Sequence, residues 1–123
     1  MSKAVVIKTT SEVEICGDRN TWVKGEHSTT FSSEPLDDEG DVKLRAPHAD
    51  RDLAVKIFAD SDGQHSFQIE ETTFTYLNGV FGDSNYRSYD LLSTKMTLEQ
   101  LEVVAETLNT FISGIKTGAV VAR

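Results

Sequence analysis

TLEQLEVVAETLNTFISGIKTG, residues 97–118, is where the hydrophobic period of the chain changes, and its reading decides the fold class. Leu98, Leu101, Val104, Ala105, Leu108, Phe111, Ile112 and Ile115 recur at spacings of three and four, which places them along one face of an α-helix. Thr97 followed three residues later by Gln100 has the form of a capping box, in which each side chain satisfies the other's free backbone N–H. Glu99 and Glu102 stand at the positive end of the helix dipole and Lys116 at the negative end. Gly118 supplies the stop. The pattern predicts a helix over about 97–116, with residues 119–123 as a short tail to a single domain covering 1–118.

Upstream of this helix the period is two. Leu53, Val55 and Ile57 alternate with Ala54, Lys56 and Phe58, and Phe67 and Ile69 resume the alternation beyond Asp60-Ser61-Asp62-Gly63. Asp side chains cap local backbone donors and Gly accepts positive φ, so the four residues read as the turn of a β-hairpin. Phe74 and Tyr76 fall on the opposite parity from Phe67 and Ile69, which predicts a bulge or bend near Glu70–Thr73. Asn78-Gly79 between Tyr76-Leu77 and Val80-Phe81 signals a second hairpin. Tyr86–Leu92 reads as the last strand.

The N-terminal third is less regular. Ala4–Ile7 and Val13–Cys16 are rich in β-branched residues and read as two strands with a turn at Thr9-Thr10-Ser11. Trp22-Val23 begins another, ended by Gly25, and 27–33 fits an edge strand or an ordered loop equally well. Glu34 to Asp41 holds five acids, a proline and a glycine with no basic residue, and predicts an exposed loop. Val42–Arg45 is a short strand before Pro47. The expected architecture is therefore α+β: an antiparallel meander of about five to seven strands packed against one C-terminal helix, with closure into a small barrel or sandwich left open. Because the helical stripe covers only about two heptads, it is expected to pack on its own sheet rather than to pair two chains.

Twenty acidic residues against twelve basic ones give a net charge of −8, and no cluster of Lys and Arg offers a footprint for a phosphate backbone. Direct binding of nucleic acid is not expected. No apolar run approaches a membrane span. Cys16 is the only cysteine, so no intramolecular disulfide and no thiolate metal cage forms within one chain. The short apolar part of the N-terminus lacks the pattern of a signal peptide, and a cytoplasmic address is expected.

Several constellations resemble chemistry without completing it. Asp60, Asp62 and Glu71 match positions one, three and twelve of a calcium loop, but His65 stands where the sharp turn needs glycine and Gln64 where an Asp or Asn is usual. His27, His48 and His65 lack partners at metal-ligand spacing. Cys16 ends an apolar strand with no adjacent His or helix N-terminus to activate it. No catalytic residue, metal or cofactor is expected from these patterns.

The expectation for function is a small, acidic, non-catalytic protein–protein interaction protein, an adaptor or inhibitor, present as a monomer or small homo-oligomer. Its sharper form is a virus- or mobile-element-encoded antagonist of a nucleic-acid-binding host machine. The residues expected to meet a basic partner are Glu34, Asp37, Asp38, Glu39 and Asp41 in the acidic loop, Glu99, Glu102 and Glu106 on the outer helix face, and Tyr86 and Tyr89 as aromatic anchors. Two other classes compete. A small-molecule binder or small hydrolase would use a pocket between sheet and helix with His48, Asp50, His65 and Tyr76. A structural subunit of a larger assembly is the other.

Overall fold

The computed structural model describes residues 5–32, 48–76 and 84–123. Five strands run in chain order, β1 (Val5–Cys16), β2 (Trp22–Ser32), β3 (His48–Phe58), β4 (His65–Tyr76) and β5 (Ser84–Met96), followed by helix α1 (Leu98–Thr117). Every strand pairs antiparallel with its neighbours in sequence, giving one sheet of order β1-β2-β3-β4-β5. The sheet is open, with β1 and β5 as its two edges and no barrel closure. The expected α+β class and meander stand, and the acidic loop 34–41, the strand at 42–45 and the Asn78-Gly79 hairpin lie outside the described residues.

The strands are longer than their apolar clusters implied. Thr9-Thr10-Ser11 does not turn: β1 passes straight through it, with Thr9 opposite Thr29 and Ser11 opposite His27. Threonine is at home on a pleated surface, and cross-strand polar pairs stabilise a ladder without apolar burial. Gly25 does not end β2 either, since it lies between Val13 of β1 and Val55 of β3. Residues 27–32 are thereby interior strand rather than edge or loop. The turn between β1 and β2 is the tight one, with Gly17, Arg19 and Asn20 all at positive φ and the N–H groups of Arg19 and Asn20 both donating to the Gly17 carbonyl.

The predicted break near Glu70–Thr73 is absent. Strand β4 runs unbroken in constant register with β3, and the irregularity falls on β5 instead, opposite Ile69/Glu70. The change of parity is resolved by orientation: Phe67 and Ile69 point to one face of the sheet and Phe74 to the other. The Asp60–Gly63 turn joins β3 to β4 as expected.

Register sorts the side chains into rows. One face carries Ile15, Val23, Ile57, Phe67 and Thr94 in one row and Val13, Gly25, Val55, Ile69 and Leu92 in the next. This apolar half lies at the end of the sheet from which α1 departs. Further along the same face the rows turn polar, with Ser11, His27, Leu53, Glu71 and Tyr89. The opposite face is mostly polar, carrying Lys24 and Lys56 beside its acids and Trp22 and Phe58 at the helix end.

Helix α1 has the predicted caps. Thr97 accepts from the Gln100 N–H at 3.2 Å while the Gln100 side chain accepts from the Thr97 N–H at 2.9 Å, and Gly118 closes the helix in the left-handed conformation. Val120 then folds back, its N–H donating to the Gly114 carbonyl at 3.0 Å. The helix meets the sheet only through its beginning: Leu101 and Val104 are half-buried, and β5 is its main neighbour. Beyond Val104 the stripe is open, with Leu108, Phe111, Ile112 and Ile115 each between 46% and 56% exposed. Packing on the chain's own sheet thus accounts for about two turns of the helix. Among the described residues Phe67, 6% exposed, is the one large apolar side chain that is fully buried.

Candidate interaction surfaces

The charged face of the sheet has an order that no single strand reveals. Glu12 of β1 stands opposite Glu26 of β2, Glu26 opposite Ala54 of β3, Ala54 opposite Glu70 of β4, and Glu70 opposite Asp90 of β5. Four carboxylates therefore lie in one row across the sheet, with neighbouring strands about 4.8 Å apart. Like charges directly opposite each other are destabilising, which applies to the Glu12–Glu26 and Glu70–Asp90 pairs, while Ala54 separates Glu26 from Glu70. Glu26 is held by Lys24, the only ion pair to this row among the described residues. Next to the row, the Ser28 hydroxyl donates to the Asp52 carboxylate.

Other polar groups are committed to local structure. On the apolar side, the Ser11 hydroxyl and His27 Nδ1 are 2.7 Å apart, and His27 Nε2 faces the Thr29 hydroxyl at 3.4 Å. A nucleophile–base pair needs a third group that orients the imidazole, and here that position holds a threonine rather than a carboxylate. Glu71 accepts from the Tyr89 hydroxyl at 2.7 Å and pairs with Arg51 at 3.1 Å. The Glu71 hydrogen bond, with desolvation behind it, holds the Tyr89 phenol above its ordinary range. In the β3–β4 turn Asp62 accepts from the Gln64 N–H at 2.9 Å, Asp60 accepts from Ser66 at 2.8 Å, and His65 Nδ1 accepts from the Asp60 N–H at 3.1 Å. The turn uses these groups itself. The hydrogen bond from the Gln64 N–H, followed by the nearby Lys95 charge, keeps the Asp62 carboxyl below the usual aspartate range. Desolvation and the Glu14 and Glu12 carboxylates push the Cys16 thiol up, away from thiolate.

The residues expected to meet a partner are dispersed. Glu99, Glu102 and Glu106 lie exposed on the outer side of α1, whereas Glu34, Asp37, Asp38, Glu39 and Asp41 lie outside the described residues. Tyr86 and Tyr89 do not act together, because register puts Tyr86 opposite Phe74 on the charged face and Tyr89 opposite Glu71 on the other. Tyr86 rests edge-on against Phe74 with ring centroids 5.8 Å apart. Trp22 completes the packing at the helix end of the sheet, stacked on Phe58 at 5.1 Å. No protein family, curated protein or solved structure matches this chain.

The cavity between sheet and helix is small. It measures about 210 Å³ and is lined by Trp22, Val23, Ile57, Phe58, His65, Leu98 and Leu101 among others, and is open to solvent. Ligand pockets are typically about 300–1,000 Å³. Of the residues proposed for a small-molecule site only His65 reaches it, and its Nδ1 is already engaged; His48 and Tyr76 pair with each other at the far end of the sheet. Among the described residues no group of three His, Cys, Asp or Glu is placed to hold a metal ion, and no helix is long and apolar enough to cross a membrane.

The row Glu12–Glu26–Glu70–Asp90 is the feature that sequence reading missed. Each acid shows in its own strand as the polar member of an alternation. What assembles them is the register of all five strands, which no single strand's pattern states.

Proposed function

We propose that this chain is a small, non-catalytic protein–protein interaction protein, an adaptor or inhibitor that presents an acidic surface to a basic partner. The observation that carries the reading is the row of four carboxylates across one sheet face. Three of the four, Glu12, Glu26 and Asp90, are exposed. Their mutual repulsion is relieved when cationic side chains dock against them, which gives a basic surface a free-energy advantage over a neutral one. The −8 net charge extends this field to longer range and speeds encounter. The outer helix residues Glu99, Glu102 and Glu106 add to the same sign. The sharper form of the proposal, an antagonist of a nucleic-acid-binding machine, applies where the partner's basic surface is the groove that otherwise holds phosphates.

The test is affinity capture from the native host with the wild-type chain and with Glu12→Gln, Glu26→Gln, Glu70→Gln and Asp90→Asn combined. The wild type should retain a discrete basic partner that elutes as salt shortens the screening length from about 10 Å at 0.1 M towards 3 Å at 1 M. Equal retention of the same partner by the neutralised variant would remove the electrostatic reading.

A further inference from the structure

Strand β1 is an edge of the sheet, and no strand lies on its outer side among the described residues. Every second residue along such an edge turns a backbone N–H and C=O away from the sheet, where a further strand can pair with them. Edges are commonly blunted by bulges, and β5 follows this rule: its irregularity falls in mid-strand, opposite Ile69/Glu70. On β1 the irregularity lies near one end, between Val6 and Lys8, and the register with β2 is constant from Lys8 to Cys16. Lys8 through Ile15 are all exposed.

We propose that β1 pairs antiparallel with β1 of a second copy about a two-fold axis at Thr10, joining two five-stranded sheets edge to edge. Charged side chains on an edge ordinarily repel a second strand, but here their spacing makes the strand complementary to itself. Lys8 and Glu12 share a face, since they stand opposite Thr30 and Glu26 of β2. With the axis at Thr10, Lys8 of each copy lies opposite Glu12 of the other, so the ion pair forms twice, and Thr9 lies opposite Ser11.

Other registers fit the charges less well. An axis at Lys8 or at Glu12 sets each of those residues against itself. An axis at Ser11 pairs Lys8 with Glu14 and leaves Glu12 opposite Thr10. Glu14 already stands opposite Lys24 within its own sheet, whereas Glu12 stands opposite Glu26. Lys8 of the second copy therefore brings a cation to the carboxylate that faces another carboxylate. Among the described residues neither Lys8 nor Glu12 has an ion pair within the chain. The regular paired stretch, Lys8 to Glu12 in each copy, has the length of an ordinary strand, and the bulge at Val6/Lys8 closes it at each end.

An axis that joins strands in this way stands perpendicular to the sheet, so each face continues as itself across the junction. Glu26, Glu70 and Asp90 of both copies stay open on one side. The inference does not rest on a basic partner, and the two proposals are tested separately.

The experiment is sedimentation equilibrium of the purified full chain between about 1 and 300 µM, beside Lys8→Glu, Glu12→Lys, their equimolar mixture and the double variant Lys8→Glu/Glu12→Lys. The wild type should approach twice 13.6 kDa as concentration rises. Each single variant sets like charges opposite each other twice and should raise the dissociation constant at least about 10-fold. The mixture and the double variant restore both pairs and should return to within about 3-fold of the wild type. Far-ultraviolet circular dichroism checks the fold of each. Should a single variant fail to fold, Thr10→Cys in a Cys16→Ser background decides the matter, because opposed residues about 5 Å apart can form a disulfide between copies under mild oxidation. Val13→Cys in the same background is the control, its two copies lying about 20 Å apart. A wild-type monomer throughout, single variants that dimerise like the wild type, a mixture that does not recover, or equal cross-linking at positions 10 and 13 would overturn the proposal.

Discussion

Replacing Gly17 by alanine tests how the β1–β2 turn holds the helix end of the sheet. Gly17 sits at φ +89°, and a Cβ there would lie 2.6 Å from the Thr21 hydroxyl oxygen and 2.9 and 3.0 Å from Cδ1 and Nε1 of Trp22. Gly63, in the β3–β4 turn, has a similar φ of +77° but nothing within 4 Å of its Cβ position. The backbone cost is shared: about 1–2 kcal/mol for a left-handed alanine, offset by about 0.4–1 kcal/mol from the stiffer unfolded chain. Gly63→Ala should therefore cost about 1 kcal/mol. Gly17→Ala adds the displacement of Trp22 from its stack on Phe58, an overpacking cost of about 1–3 kcal/mol, for a total of about 2–4 kcal/mol. Urea titration at fixed protein concentration measures both, with Trp22, the only tryptophan, as the probe. Equal losses in the two variants, or native Trp22 emission unchanged in Gly17→Ala, would refute the steric account.

Thr97→Ala removes the hydroxyl that accepts from the Gln100 N–H, leaving the bond from the residue-97 N–H to the Gln100 side chain, and should cost about 1 kcal/mol, read as a lower urea midpoint together with fraying at the start of α1 by amide exchange. Gly114→Ala drives a Cβ into Cγ2 of Val120, so the tail should leave the helix while α1 itself gains helicity; protease sensitivity after residue 117 reports the first and circular dichroism the second. Tyr89 should ionise above the ordinary phenol range, and Glu71→Gln should lower its titration midpoint in ultraviolet difference spectra. Because its folded pKa is raised, the Tyr89 contribution to stability is complete below the unfolded pKa and disappears as pH rises through the folded one. Asp62 has the opposite sign: its depressed pKa contributes above the unfolded aspartate value and is lost as pH falls, so Asp62→Asn should flatten the acid side of the stability profile.

The helix was legible to within a residue at each end because its signals are local. Thr97, Gln100, Lys116 and Gly118 each act within a turn of their own position, and the 3.6 period needs no partner to be read. The β3–β4 hairpin was legible for the same reason, its turn chemistry lying between two alternating runs. Strand length was not, because Thr9, Thr10, Ser11 and Ser28–Thr30 are held by cross-strand partners 16 or more residues away, as Ser11 with His27 and Ser28 with Asp52 illustrate. Gly25 was misleading in the same way: it signals a break to its own strand and a depression to the sheet. The parity change at Phe74 was correctly seen and wrongly explained, since a strand whose two ends serve different faces needs no bend. The acidic row depended on register alone.

Register also separates the two faces of the sheet. The rows that hold Val13, Ile15 and Val23 and the row that holds Glu12, Glu26, Glu70 and Asp90 are on opposite faces of one sheet, because a strand alternates strictly. A basic partner that docks on the acidic row therefore leaves the apolar rows as they are: Val13→Ser should leave its affinity unchanged, whereas Glu26→Gln should lower it and reduce its salt dependence, both read by titration at two ionic strengths. Equal losses in the two variants would place the contact across the β1 edge rather than on one face.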